Sequence, residues 1–172
     1  DARLMAKKYK ATYAKQRVAA DVYSLALERV ERIYSLFDTV VVMFSGGKDS
    51  TAVLNLVVET ARRLKRLPVR VIFWDEEAIS YEVEEYVRRT AARSEIDLTW
   101  YCVPIKHRNA CSKESPYWLT WNPDEQNLWV RPLPPEAVTA IDGYDPRSHP
   151  FSIPDLSNIV LGDPKLGRVC QV

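Results

Sequence analysis

The chain holds 172 residues, 47% of them hydrophobic, with a net charge of +1; that length suits one domain with a sizeable core, and the charge makes no global case for a polyanionic partner. No apolar run approaches the length of a membrane span, and no apolar signal segment opens the sequence, so a cytoplasmic protein is expected. The cysteines Cys102, Cys111 and Cys170 are odd in number and form no CxxC pair, which argues against a disulfide framework and against a zinc cage.

Residues 1–16 form a basic N-terminal segment, with Arg3, Lys7, Lys8, Lys10 and Lys15 interleaved with Tyr9 and Tyr13. A solvated basic helix or tail is the first reading, and a grip on a nucleic-acid backbone the second. Residues 17–103 carry the pattern of an α/β core. From Arg17 to Phe37, apolar residues recur at spacings of three and four, predicting an amphipathic helix. Val40-Val41-Val42-Met43-Phe44 predicts a buried parallel strand, and a helical pattern resumes at Asp49 and runs to Leu64.

Between strand and helix lies Ser45-Gly46-Gly47-Lys48-Asp49-Ser50-Thr51. Gly46 and Gly47 lack a Cβ, so they can take φ > 0 and turn several N–H groups toward one point, where the positive end of the helix adds its partial charge. Ser45, Ser50 and Thr51 add hydroxyl donors, and Lys48 adds a full charge to hold oxygens that grow more negative as a phosphate leaves. The pattern G-x-x-x-x-G-K-[ST] fails, because only two glycines precede Lys48 and Asp49 follows it. The run instead resembles the SGGxDS signature of the PP-loop ATP pyrophosphatases. Its lysine form is similar to the branch that holds ATP sulfurylase small subunits, phosphoadenosine-phosphosulfate (PAPS) reductase-like proteins and the ATP pyrophosphatases of DNA phosphorothioation. The resemblance implies ATP bound at Ser45–Thr51, with Lys48 and Asp49 catalytic, and an adenine nucleotide α-hydrolase-like fold.

Pro68 opens a second strand, Val69 to Trp74, which ends in Trp74-Asp75-Glu76-Glu77. Ligands of open parallel sheets bind beyond the carboxyl ends of the strands, so Asp75 is a candidate Mg²⁺ ligand beside the glycine turn, and Phe73 and Trp74 are candidate neighbours of the adenine. A third helix, Ser80 to Arg93, has Ser80 as N-cap, and a third strand, Leu98 to Val103, follows. The order β-α-β-α-β specifies a doubly wound, mostly parallel sheet with helices on both faces.

Residues 104–155 differ in texture. Nine of the eleven prolines and three of the five tryptophans fall there, and so long a segment with that aromatic content is expected to be a substrate lid over the nucleotide. Lys106, Arg108, Lys113 and Arg131 are candidates for holding a phosphate-bearing acceptor, with Trp118 under a base. Cys111 lies among basic residues that favour a thiolate, which makes it a candidate sulfur carrier. The segment is similar to the stretch after the third strand in PAPS reductase-like proteins. Residues 156–172 look like the start of a further core segment. With three parallel strands found where the resembled fold has about five, part of the parent chain is expected to be missing at the C-terminus.

The resemblance implies an enzyme that uses ATP and Mg²⁺, cuts ATP between the α- and β-phosphates, and adenylates an acceptor for sulfur transfer. The acceptor implied is the DNA backbone phosphate, with a cysteine desulfurase or other modification-complex proteins as partners. A sulfate-assimilation enzyme of the ATP sulfurylase or PAPS reductase type is the alternative, as is a non-catalytic ATP-binding regulatory module.

Overall fold

The computed structural model describes residues 18–172, so the basic segment expected at 1–16 lies outside the described residues. In chain order the elements are α1 (Val22–Leu36), β1 (Thr39–Met43), α2 (Lys48–Arg63), β2 (Val69–Trp74), α3 (Tyr81–Ala91), β3 (Ile96–Tyr101), β4 (Lys106–Arg108), β5 (Tyr117–Leu119), α4 (Ile153–Leu161) and β6 (Val169–Gln171). Single 3-10 segments stand at Pro123–Leu128 and Pro164–Leu166. The central sheet is wholly parallel in the order β3-β2-β1-β6, and β4 and β5 form a separate antiparallel hairpin.

β1 is paired on both sides, and Val40, Val41 and Val42 are all buried, as the interior strand of a parallel sheet requires. Its side chains alternate between two cores. Val40 and Val42 join Val71, Phe73 and Trp100 beneath α1, α2 and α3, through Val30, Tyr34, Leu54, Val57, Val58, Ala61 and Val87. Val41 joins Ile72, Trp74, Val103 and Ile105 beneath Leu156 of α4. The doubly wound α/β expectation therefore holds, with helices on both faces of the sheet.

The boundaries shift where local bonds decide them. The apolar periodicity predicts α1 from Arg17, yet the helix starts at Val22 because the Asp21 carboxylate accepts the Ser24 N–H at 2.9 Å and caps it there. Ser80 caps α3 as expected, through Val83 N–H. β3 starts two residues earlier than predicted, because Ile96 and Asp97 pair with Val69 and Arg70. The sequence reading found three parallel strands. A fourth exists in β6, whose three residues are too few for a periodicity to show, and which pairs with Thr39–Val41. Thr39 Oγ1 donates to Leu166 O, and Asp38 accepts from Arg168 N–H, fixing that strand's entry.

The glycine turn of β1 lies at the carboxyl end of the sheet, and so does the start of the 104–155 segment after β3. The latter returns to the sheet once, where Val138 bridges Tyr101 in parallel.

Candidate nucleotide site

The turn between β1 and α2 is built as its residue types demand, with one difference. Gly46 alone is left-handed, at φ +73; Gly47, at φ −80, is the extended N-cap of α2. Gly46 is required twice over, because a Cβ there would stand 2.9 Å from Val83 Cγ1 and 3.3 Å from Val87 Cγ2. The close approach of α3 to the turn thus depends on a missing side chain.

The hydroxyls organise the turn internally. Ser45 and Ser50 hydroxyls meet at 3.0 Å, Ser50 Oγ accepts from Ser45 N–H at 3.3 Å, and Ser50 and Thr51 both donate to Gly47 O. No side chain caps α2, whereas side-chain oxygens cap α1, α3 and α4. The first N–H groups of α2 are therefore left for an anion, reinforced by the helix dipole. Lys48 and Asp49 stand at the rim, each side chain 89% exposed, paired at 2.7 Å. At that exposure the pair contributes little to stability and is easily exchanged for a ligand.

A cleft of about 260 Å³ opens beside the turn, walled by Met43, Phe44, Ile72, Phe73, Trp74, Ile79 and Ile153, with Ser45 and Glu76 as its polar members. Phe73 and Trp74 thus border the place expected of an adenine. Both are buried, Phe73 edge-on to Trp100 and Trp74 stacked on Tyr101 at 4.6 Å, so they supply wall rather than a free stacking face.

Two expected ligand-binding residues turn out to hold each other. Asp75 is fully buried, and both its oxygens accept from Arg131 Nη2, at 2.6 and 2.5 Å, with Trp100 Nε1 and Glu77 N–H as further donors. Arg131, whose side chain is 13% exposed, also gives Nε to Glu77 O and lies 4.9 Å over the Trp121 ring. A carboxylate so engaged has no lone pair open to a cation, and a guanidinium so enclosed meets no acceptor phosphate. Among the described residues there is no group of three or more His, Cys, Asp or Glu that could hold a metal. Asp75 therefore offers no open oxygen to Mg²⁺.

Glu77 completes the arrangement that sequence reasoning missed. It is buried at φ +64, and its carboxylate accepts the N–H groups of Trp121, itself at φ +45, and Val130. Asp75 and Glu77 are thus the anchor of the 104–155 segment. The only signals were an acidic run after a strand and one of three arginines, Arg131, in a Trp/Pro-rich stretch, and nothing local says that they meet.

Of the remaining candidates, Lys106 and Arg108 share one face of the β4–β5 hairpin and Trp118, paired with His107, lies on the other, with Arg108 and Trp118 exposed. Lys106 Nζ sits 4.2 Å over the Tyr117 ring, and His107 stacks on Trp118 at 4.9 Å. Lys113 and Cys111 are exposed in the turn between the two strands. Cys102 is the opposite kind of cysteine: burial, and then the Asp75 carboxylate 3.5 Å away, push its thiol far up.

The model of the phosphoadenosine phosphosulfate reductase domain matches residues 39–132, from β1 to the residue after Arg131. The chain is also similar to the uncharacterized protein YbdN of Escherichia coli (strain K12), 31% identical over 126 residues, which make up 72% of this chain and 30% of that protein. It spans less than a third of that relative's length.

Proposed function

The chain belongs to the phosphoadenosine phosphosulfate reductase domain family, which points to a nucleotide-using enzyme, and from that premise we propose that it is an ATP pyrophosphatase that adenylates an acceptor for sulfur transfer. One observation carries this reading: the uncapped N-terminus of α2, fed by the left-handed turn at Gly46, which the Ser45, Ser50 and Thr51 hydroxyls brace, and flanked by Lys48. That arrangement suits a chain of phosphates.

In the proposed reaction the triphosphate lies in the turn and the adenosine extends into the apolar cleft. An acceptor oxygen attacks the α-phosphorus, the bond to the bridging oxygen breaks, and pyrophosphate leaves with the electron pair. Lys48 and the α2 N–H groups stabilise the charge gathering on that leaving group. Ser45, Ser50 and Thr51 hold the turn in shape, and Asp49 keeps Lys48 at the rim until a phosphate replaces it. The acceptor we propose is the backbone phosphate of DNA, held by Lys106, Arg108 and Lys113 with Trp118 against a base. In the second step a sulfur nucleophile attacks the adenylated phosphorus and AMP leaves with the bridging oxygen and its electron pair; the proposed source is a persulfide on Cys111, loaded by a cysteine desulfurase, whose outer sulfur forms the P–S bond before an external thiol cleaves the S–S bond by forming a mixed disulfide with Cys111. Arg131 and Asp75 act only by holding this segment to the sheet.

The test is product analysis after incubation with ATP and Mg²⁺, with and without DNA. AMP and pyrophosphate, increased by DNA, are the expected products. ADP and phosphate would remove the pyrophosphatase reading, and binding without turnover would make the chain a regulatory module. A 3′-phosphorylated adenine nucleotide, the substrate in the matching family's name, is the alternative ligand.

A further inference from the structure

Three acids follow β2, and the structure separates their roles. Asp75 and Glu77 turn inward and are fully engaged by Arg131, Trp100, Trp121 and Val130. Glu76, between them, turns outward. It is exposed, it borders the cleft beside Ser45, and among the described residues it is the only charged side chain in that cleft's wall. None of the described residues pairs with its carboxylate.

A lone negative charge at the edge of an anion site needs a reason. Facing a phosphate, it would oppose binding by like-charge repulsion. Facing the part of a nucleotide that carries hydroxyls, it becomes an acceptor of two O–H donors. On the proposed nucleotide reading, the phosphates lie at the α2 N-terminus and the base against the apolar wall, which leaves the ribose between them. A carboxylate at the carboxyl end of the second strand, next to the glycine turn of the first, also occupies the place from which acids in dinucleotide-binding sheets reach a ribose hydroxyl.

We propose that Glu76 reads the ribose, accepting from its hydroxyls and excluding a phosphate at the 3′ position. The site then takes adenine nucleotides with a free ribose diol, such as ATP, and rejects 3′-phosphorylated ones. This rests on the nucleotide reading of the cleft and narrows its substrate class within the family.

The test compares two isomers, ADP and adenosine 3′,5′-bisphosphate, which differ only in where the second phosphate sits. Binding to the full chain is measured by calorimetry in EDTA, so that no metal contributes. Glu76 is exposed, so Glu76→Gln and Glu76→Lys should fold as the unmodified chain does. The expected result is that Glu76→Gln lowers the preference for ADP by about fivefold or more, fivefold being the size of one like-charge pair about 4 Å apart in bulk water, and that Glu76→Lys lowers it further. An unchanged preference in Glu76→Gln, with ADP binding still abolished by Gly46→Ala, overturns the role of Glu76 and leaves the nucleotide site standing. An effect that emerges only when Mg²⁺ replaces EDTA makes Glu76 a metal ligand and also overturns it. Failure of the unmodified chain to bind either isomer overturns both this role and the nucleotide reading.

Discussion

Replacing Arg131 by methionine tests whether the acidic run after β2 anchors the Trp/Pro-rich segment. Methionine keeps much of the stem over Trp121 and deletes the cation, so Asp75 stays fully buried with only the Trp100, Glu77 and weak Cys102 thiol donors. Removing one partner of a buried pair costs about 3–5 kcal/mol, and losing the cation–π contact at 4.9 Å adds about 1 kcal/mol. With a urea slope of about 2 kcal/mol per molar for a domain of this size, the unfolding midpoint should fall by about 2–3 M. Hydrogen exchange should quicken at the Trp121 and Val130 amides, which Glu77 holds. The double variant Asp75→Asn, Arg131→Met removes both charges and should recover at least about 1 kcal/mol relative to the sum of the singles. A loss below about 1 kcal/mol for Arg131→Met, or strict additivity in the double variant, would refute the anchoring role.

Lys48→Ala should lower pyrophosphate release on the order of 10²-fold or more, as loss of a leaving-group contact does, with an unchanged melting temperature because the side chain is 89% exposed. Gly46→Ala should cost about 2–4 kcal/mol, from the left-handed backbone and the overlap with Val83, read as a lowered melting temperature together with lost ADP binding. Native-state alkylation at pH 8 should label exposed Cys111 readily and leave Cys102 untouched until the chain unfolds, because burial and Asp75 hold that thiol protonated. Equal labelling of the two would contradict this placement. The Arg168 N–H, and then its side chain, hold the Asp38 carboxyl below its ordinary 3.8. A lowered folded-state value means that its contribution is present above about pH 4 and is lost as pH falls below it. Amides of Val169–Gln171 should therefore lose protection in that acid window, and Asp38→Asn should abolish the pH dependence.

What could be read from the sequence was what the chain decides locally. Val40–Phe44, the glycine turn and the apolar stripe of α2 announce a strand, a left-handed bend and a helix through periodicity and the missing Cβ, and all three stand where expected. Ser80 was legible as a cap because capping needs only a neighbour three residues on. Asp75 and Arg131 were misread for the converse reason. Each alone has the chemistry of a ligand-binding residue, and only the folded chain shows that 56 residues of separation close into one ion pair. β6 was missed because its three residues owe their strand conformation to Thr39–Val41 rather than to any pattern of their own. Glu76 and Glu77, adjacent and chemically alike, differ only in which way the backbone turns at φ +64.

The position of β6 has a consequence for biogenesis. The bond between Arg168 and Asp38 spans 130 residues, so during synthesis the flank of β1 opposite β2 stays unpaired until almost all of this stretch has left the ribosome. A growing chain at that stage offers a row of unpaired N–H and C=O groups to any passing strand. Fragments that stop before Val169 should accordingly aggregate during expression even though the glycine bend after β1, which lies entirely upstream, is complete.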